Sequence, residues 1–481
     1  MTTKERVTVE LIPKCVKQHS IRIDNDTRNE LWEIADRYGL VKNYVYSRYS
    51  GIQSLPVLGS HLKQIRDVWV KNGFADQWEL PARYWKIALD EAIANIKAEW
   101  ANIKLRTKKA VYQNENLTED ERYFIFYVLK ADKVLYAILN RESFDRPKKL
   151  KDLEIREKYI FNLIRRYIRK YKGKVPHTHN KSFALDSNMY SYRFENGELY
   201  LDIMGLQRGK RLSVKLRDHN IHEGNITVVL KDDTLEVHRV KYIKQKELSE
   251  YKGSIGIDKG YKNLIAASTD NIYGEGLNKI LSEETERLNK KNAERNKFHS
   301  LYRQYMEEGK TQKAQNILEN NLGRKKYDRQ RQRHTERIRS YINYELNRFI
   351  LDESPSEIVM EDLAFVSWKH KFPKHIKRKL AGWTKGYIND RINYKASLFG
   401  IDVTVVNAAY TSKICSRCGR FGKRSGDIFK CPVCGIFHAD TNASSNVLKR
   451  KDDNEIGLYT PYKKVKEILE TRSKEKAEAV V

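Results

Sequence analysis

Three carboxylates far apart in the chain, Asp258, Glu361 and Asp440, each stand where a segment changes character. Asp258 closes the apolar run of "SIGIDKG", Glu361 closes that of "IVMEDL", and Asp440 opens "DTNASSNVLKRK". Acids at two strand ends and a helix start can meet at one edge of a sheet whatever their separation in sequence. Such a cluster repels itself unless cations neutralise it, and its hard oxygens suit Mg²⁺ or Mn²⁺. Two such ions can activate a water and stabilise the leaving oxygen of a phosphodiester. Taken singly, each acid also fits a turn or cap, and Asp440 reads well as an N-cap or first-turn acid favoured by the helix dipole. The ordered set of three is what points to a metal site.

Just ahead of Asp440, four of the five cysteines fall as Cys415-x₂-Cys418-x₁₂-Cys431-x₂-Cys434, each pair followed by a glycine, Gly419 or Gly435. This is the spacing of a four-thiolate zinc ribbon. A redox pair is the competing reading. Four protein ligands leave zinc no open position, so the ion is structural. Cys15 stands apart and is expected to be a buried or half-buried small hydrophobe.

These residues need strands and helices to position them, and the apolar periodicity supplies candidates. Residues 5–23 alternate in two short runs and predict a pair of strands. From about 28 to 175 the period becomes helical, with Leu31, Ile34, Tyr38, Val41 and Val45 in a helix or helix pair and further helices rich in Tyr, Trp, Lys and Arg. Trp85, Trp100, Tyr123 and Phe124 suit either a core or a stacking surface. Around 182 strands return, with turns at Glu195-Asn196-Gly197 and Asp232-Asp233. Together with the N-terminal strands they could close a small barrel interrupted by the helical module. Beyond 254, strands alternate with helices, which argues for an α/β domain. Its helical stretch 323–350 carries nine Lys/Arg against three Asp/Glu. Within it Arg333 and Arg337 are candidates for contacting nucleic acid or supporting the acids. A further helix is expected over about 374–398, and the strand "DVTVVN" leads into the cysteines.

The chain has 481 residues, enough for two to four domains, and 92 Lys+Arg against 63 Asp+Glu give a net charge of +29. An excess of that size attracts polyanions, and nucleic acid is the foremost. No apolar run reaches the ~18 residues of a membrane span, and the N-terminus lacks a signal-peptide core. A cytoplasmic protein is expected, with no membrane partner.

With "GIDKG", "IVMEDL", "TSKICSRCG…CPVCG" and "DTNASSN" in this order, residues 255–448 resemble the split RuvC motifs and zinc ribbon of TnpB proteins. TnpB proteins are transposon-encoded RNA-guided nucleases close to the compact type V CRISPR effectors. The resemblance implies a multidomain α+β protein. Its C-terminal half would be an RNase H-like (RuvC) α/β domain with an inserted zinc ribbon. Its N-terminal half would be a wedge β-barrel interrupted by a helical recognition module. The implied boundaries are 1–27 and 181–250 for the barrel, 28–180 for recognition, 251–410 for the nuclease domain, 411–436 for the ribbon, 437–450 for the last motif helix and 451–481 for a charged tail.

The resemblance further implies that Asp258, Glu361 and Asp440 bind two Mg²⁺ ions and cut DNA, directed by a bound guide RNA that pairs with target double-stranded DNA. It leaves open one copy per RNA or a homodimer on one RNA. Asn442 and Asn446 match the family's asparagines after the third acid, with supporting or strand-positioning roles. Lys259 departs from the family, which often has an apolar residue there. A nuclease-inactive RNA-guided repressor and a guide-free RuvC-like resolvase or transposase are the competing functions. The complete acid set argues against the first and the large basic N-terminal half against the second.

Overall fold

The computed structural model describes residues 11–58, 62–260, 262–363 and 385–478. The chain divides into two compact units, residues 13–243 and residues 244–481 with 1–12.

In the unit 13–243 the first helix, Asn25–Tyr49, is continuous rather than a pair. Asp24 caps it by accepting from the Thr27 amide at 2.8 Å, and Leu31, Ile34, Tyr38, Val41 and Val45 are fully buried along one stripe. The helices Ala82–Tyr112, Glu119–Lys130, Asp132–Asn140 and Glu157–Lys172 pack their apolar faces into the same core. Trp85, Trp100 and Phe124 belong to that core, whereas Tyr123 is exposed.

Seven strands complete the unit: β1 (Leu11–His19), β2 (Ser182–Leu185), β3 (Tyr190–Glu195), β4 (Glu198–Met204), β5 (Arg211–Lys215), β6 (Ile226–Leu230) and β7 (Leu235–Lys244). They form one sheet of order β1-β7-β6-β2 and another of order β3-β4-β5. Asn196 and Gly197 are the two-residue turn between the paired ends Glu195 and Glu198. Of the two strands expected over 5–23, the described residues contain one, β1, which runs extended through Pro13; residues 1–10 lie outside the described residues. Cys15 faces outward from this strand at the sheet edge and is exposed, contrary to expectation.

The second unit is built on a five-stranded sheet of β8 (Ser254–Lys259), β9 (Ile265–Ala267), β10 (Ile272–Tyr273), β11 (Glu357–Glu361) and β12 (Asp402–Val406), ordered β10-β9-β8-β11-β12. The first three strands in sequence form an antiparallel meander, and β11 runs parallel to both β8 and β12. Parallel neighbours need long crossovers. Here the helices Leu277–Glu307, Thr311–Asn320 and Lys325–Glu353 lie between β10 and β11, and the helix Lys385–Leu398 between β11 and β12. The part of that last helix expected over 374–384 lies outside the described residues.

Ile255, Ile257, Ile358 and Met360 face Ile342, Leu346, Phe349 and Ile392 in the main core. On the other face lies the helix Ala439–Arg450. A Cβ on Gly256 would stand 2.3 Å from the Ser444 carbonyl oxygen, so the bare glycine is what lets this helix lie against β8.

Between β12 and that helix is a three-stranded insertion, β13 (Lys423–Ser425), β14 (Ile428–Cys431) and β15 (Gly435–His438). The expected charged tail instead carries a helix, Tyr462–Glu478. Val465 and Leu469, one turn apart on it, are buried against Ile414 and Ile456, a small apolar pair that the surrounding charges mask in the sequence. No helix among the described residues is long and apolar enough to cross a membrane.

Candidate active site

Met360 lies opposite Ile257 on the parallel strands β11 and β8, so the next residues along, Glu361 and Asp258, are neighbours on one face. Asp440 comes from the other direction. It is the second residue of the helix Ala439–Arg450, whose start lies where the ribbon returns the chain to the sheet. Glu361 and Asp440 are buried, and Asp258 is half-buried.

The electrostatics record the convergence. Burial, reinforced by the charges of Glu361 and Asp440, pushes the Asp258 carboxyl well above the usual carboxylate range. Glu361 is also raised, by burial, against the opposing pull of a Thr411 hydrogen bond and of the Lys259, Arg450 and Arg424 charges.

Several partners hold this arrangement. The Thr411 hydroxyl donates to Glu361 Oε1. Asn263 Nδ2 donates to Asp440 Oδ2 at 3.2 Å, and Arg424, on the ribbon strand β13, forms an ion pair with Asp440 Oδ1. Lys259 is buried and its ammonium donates to Asn389 Oδ1 at 2.8 Å and to the Glu361 carbonyl at 3.2 Å, joining β8 to β11 and the helix Lys385–Leu398. The sequence marked Lys259 only as a departure. Asn263 and Arg424 carried no signal in it, and Thr411 only its place at the head of "TSKICSRCG", with nothing there to pair it with Glu361.

The four ribbon thiols are the only group of three or more potential ligands among the described residues whose ligand atoms lie within 4.8 Å of one another. Zinc bound to four thiolates at about 2.3 Å spaces its sulfurs about 3.8 Å apart, so the quartet fits the ion. The three carboxylates do not form so close a group. Gly419 and Gly435 follow the two cysteine pairs with φ of 76° and 90°, the left-handed turn each knuckle requires.

Asn442 and Asn446 join the segment that enters this thiol cluster to the acids. The Asn442 side chain accepts from the Ser416 amide and donates to the Ile414 carbonyl, both at 2.8 Å. Asn446 Nδ2 donates to the same Ile414 carbonyl at 2.8 Å and to that of Thr411 at 2.9 Å. The helix that carries Asp440 thus grips the segment between Thr411 and the first cysteine.

Arg333 and Arg337 are not drawn to the acids. Both line a cavity of about 410 Å³ between the helices Leu277–Glu307 and Lys325–Glu353, and Arg337 pairs with Glu283 at 3.3 Å.

Residues 386–447 match the family model described as Cas12f1-like, TNB domain. The TnpB-like protein MJ0751 of Methanocaldococcus jannaschii is 29% identical over 150 residues, 30% of this chain and 50% of the relative. The CRISPR-associated endodeoxyribonuclease Cas12f1 of Sulfoacidibacillus thermotolerans is 37% identical over 119 residues, 23% of this chain and 26% of the relative. The chain thus spans half or less of these curated relatives. A solved Cas12f1–sgRNA–target DNA complex is similar at a TM-score of 0.41 and 14% identity, covering 92% of this chain and 99% of that one. A score below 0.5 adds nothing to what the strand order shows.

Proposed function

From the TnpB and compact type V family that these matches support, we propose that the protein is an RNA-guided DNA endonuclease with an RNase H-like, RuvC-type nuclease domain. The observation that carries this reading is the meeting of Asp258, Glu361 and Asp440 at one end of β8 and β11, where burial and then the charges of the other two acids raise Asp258. The strand order β10-β9-β8-β11-β12, with β11 and β12 parallel to β8, supports the RNase H-like assignment.

Asp258, Glu361 and Asp440 would hold two Mg²⁺ or Mn²⁺ ions, which supply an activated water and charge stabilisation for the leaving oxygen. The chain's own residues set up that chemistry. Thr411 fixes the Glu361 carboxylate, Asn263 orients Asp440, and Lys259 locks the strand ends on which Asp258 and Glu361 sit. Arg424 brings a guanidinium from the ribbon to the acids, placed to meet a phosphate there. Cys415, Cys418, Cys431 and Cys434 would bind a structural zinc. Guide RNA and target double-stranded DNA are the proposed partners. The two sheets of residues 11–244 would serve as the wedge and the helices of 25–172 as the recognition module.

The test is cleavage of a plasmid carrying a guide-matched site by the protein purified with its guide RNA in Mg²⁺. Cutting by wild type, lost in Asp258→Ala, Glu361→Ala and Asp440→Ala with nucleic-acid binding retained, is the expected result. Tight binding without cutting by wild type would favour a nuclease-inactive repressor and overturn the proposal. A variant that keeps its rate within about tenfold would remove that acid from the site.

A further inference from the structure

The helix Glu157–Lys172 is divided sharply in two. Ile160, Leu163, Ile164 and Ile168 are buried in the core. At 100° per residue, Asn162, Arg165, Arg166 and Arg169 fall on the opposite side, and Lys170 is exposed at the border between the two. These five residues, with Arg141 from the end of the preceding helix, line a cavity of about 470 Å³ that contains no carboxylate. Arg165 is half-buried at its floor, its Nε donating to the Ile138 carbonyl at 2.8 Å and its Nη1 to Asn162 Oδ1 at 2.9 Å. Arg141, Arg166, Arg169 and Lys170 are exposed around it.

Elsewhere in the same unit arginines reach acids: Arg37 pairs with Glu33, Arg83 with Asp186, Arg146 with Glu157 and Arg156 with Glu121. None of the five cations here pairs with an acid among the described residues. Burial and the Arg141 charge lower the pKa of Arg165, the mark of cations held together without a counter-charge. Solubility does not require four guanidinium groups around one hollow. Their planar forks suit the paired oxygens of a phosphate. From residue 162 to 170 the helix rises about 12 Å. One strand of a duplex advances a phosphate every ~3.4 Å along the axis while winding round it, so a row of this length reaches at least two successive phosphates.

We propose that this pocket is a phosphate-backbone site for nucleic acid, in which Arg141, Arg166, Arg169 and Lys170 seat successive phosphodiester groups over Arg165. The proposal rests on the reading of the protein as a nucleic-acid enzyme and deepens it by assigning one contact surface. RNA and DNA offer the same phosphodiester chemistry, so the test uses both.

Full-length protein freed of bound nucleic acid is titrated with a short labelled RNA duplex and a DNA duplex of the same sequence, between about 50 and 200 mM salt. The variant Arg141→Ala/Arg169→Ala/Lys170→Ala spares Arg165 and its backbone contact. A second variant, Lys14→Ala/Lys130→Ala/Lys181→Ala, removes the same charge from scattered exposed positions. With at least one probe, the pocket variant is expected to bind about tenfold or more weakly at the higher salt. Its plot of log affinity against log salt should be shallower by about 2 to 3, at close to one unit per lost phosphate contact. The probe that loses affinity identifies the bound strand type. Unchanged slopes with both probes, or an equal loss in the scattered variant, would overturn the site. If wild type bound neither probe, the nucleic-acid reading itself would fail, an outcome distinct from the first two.

Discussion

The hydroxyl of Thr411 shares its one proton between the carboxylate of Glu361, 50 residues earlier in the chain, and the Ala408 carbonyl at 3.1 Å. One side chain therefore ties the last residue of β11 to the segment that enters the cysteines. An acid so held keeps one orientation before any ion arrives.

Replacing this hydroxyl tests its share in the chemistry. Thr411→Val preserves the shape but leaves Glu361 free to rotate. Partners of a metal-binding carboxylate typically contribute about 10- to 100-fold in metal affinity or activity. We expect a loss of that size in cleavage rate at low Mg²⁺, partly recovered at high Mg²⁺. A rate equal to wild type at every Mg²⁺ concentration would deny Thr411 any positioning role.

Arg424 and a divalent ion compete for the same carboxylate. With Arg424→Ala the pair to Asp440 is gone and the negative field at the three acids grows. Mn²⁺ should therefore bind the nucleic-acid-free protein more tightly, by about three- to tenfold, as read by calorimetry or paramagnetic relaxation. Weaker Mn²⁺ binding would show that the guanidinium supports the ion site instead of opposing it.

Zinc is expected at one ion per chain by elemental analysis. Cys418→Ser or chelation should unfold the ribbon and lower the melting temperature of the C-terminal unit, because the free energy of such sites is free energy of folding. Binding through the unit 13–243 should persist. A stable, active protein after complete zinc removal would refute the structural role.

Glu357 gives the sheet a pH limit. Its carboxylate accepts from Ser254 on β8, from Thr404 on β12 at 2.6 Å and from Lys451. Against the cost of burial, these bonds hold its pKa at about 2, below the ordinary 4.5. A depressed folded-state pKa stabilises fully above the unfolded value, and that stability is lost as pH falls from about 4.5 toward 2. At about 1.4 kcal/mol per pKa unit the contribution is on the order of 3 kcal/mol. Acid titration of the melting temperature should show this loss in wild type. Glu357→Gln should begin lower, by about 1–3 kcal/mol, and fall less steeply below pH 4.5. Parallel acid curves for the two proteins would contradict the assignment.

The convergence of the acids and of the cysteines was legible in the sequence because local signals mark them: an apolar run that ends in a carboxylate, and a paired thiol spacing that suits a metal. Helices with wide apolar stripes, such as the one carrying Leu31 to Val45, were legible for the same reason. Thr411, Asn263 and Arg424 were not. Each meets its acid only after closure of a loop of 50, 177 or 16 residues, and nothing in its own neighbourhood marks it. The helix holding Val465, Ile468 and Leu469 was hidden because its apolar residues span barely one turn among many charges, too short a run for a periodic signal. Arg333 and Arg337 were drawn by charge density alone, which records a solvated helix face as readily as a site.

The grip of Asn442 and Asn446 on the Ile414 carbonyl makes the metal ribbon and the Asp440 helix one mechanical piece. Arg424 at the far end of the ribbon returns to the same carboxylate. A strand of nucleic acid that tugged on the hairpin would load Asp440 like a hand on a lever, so force applied outside the acid cluster is felt at its third member.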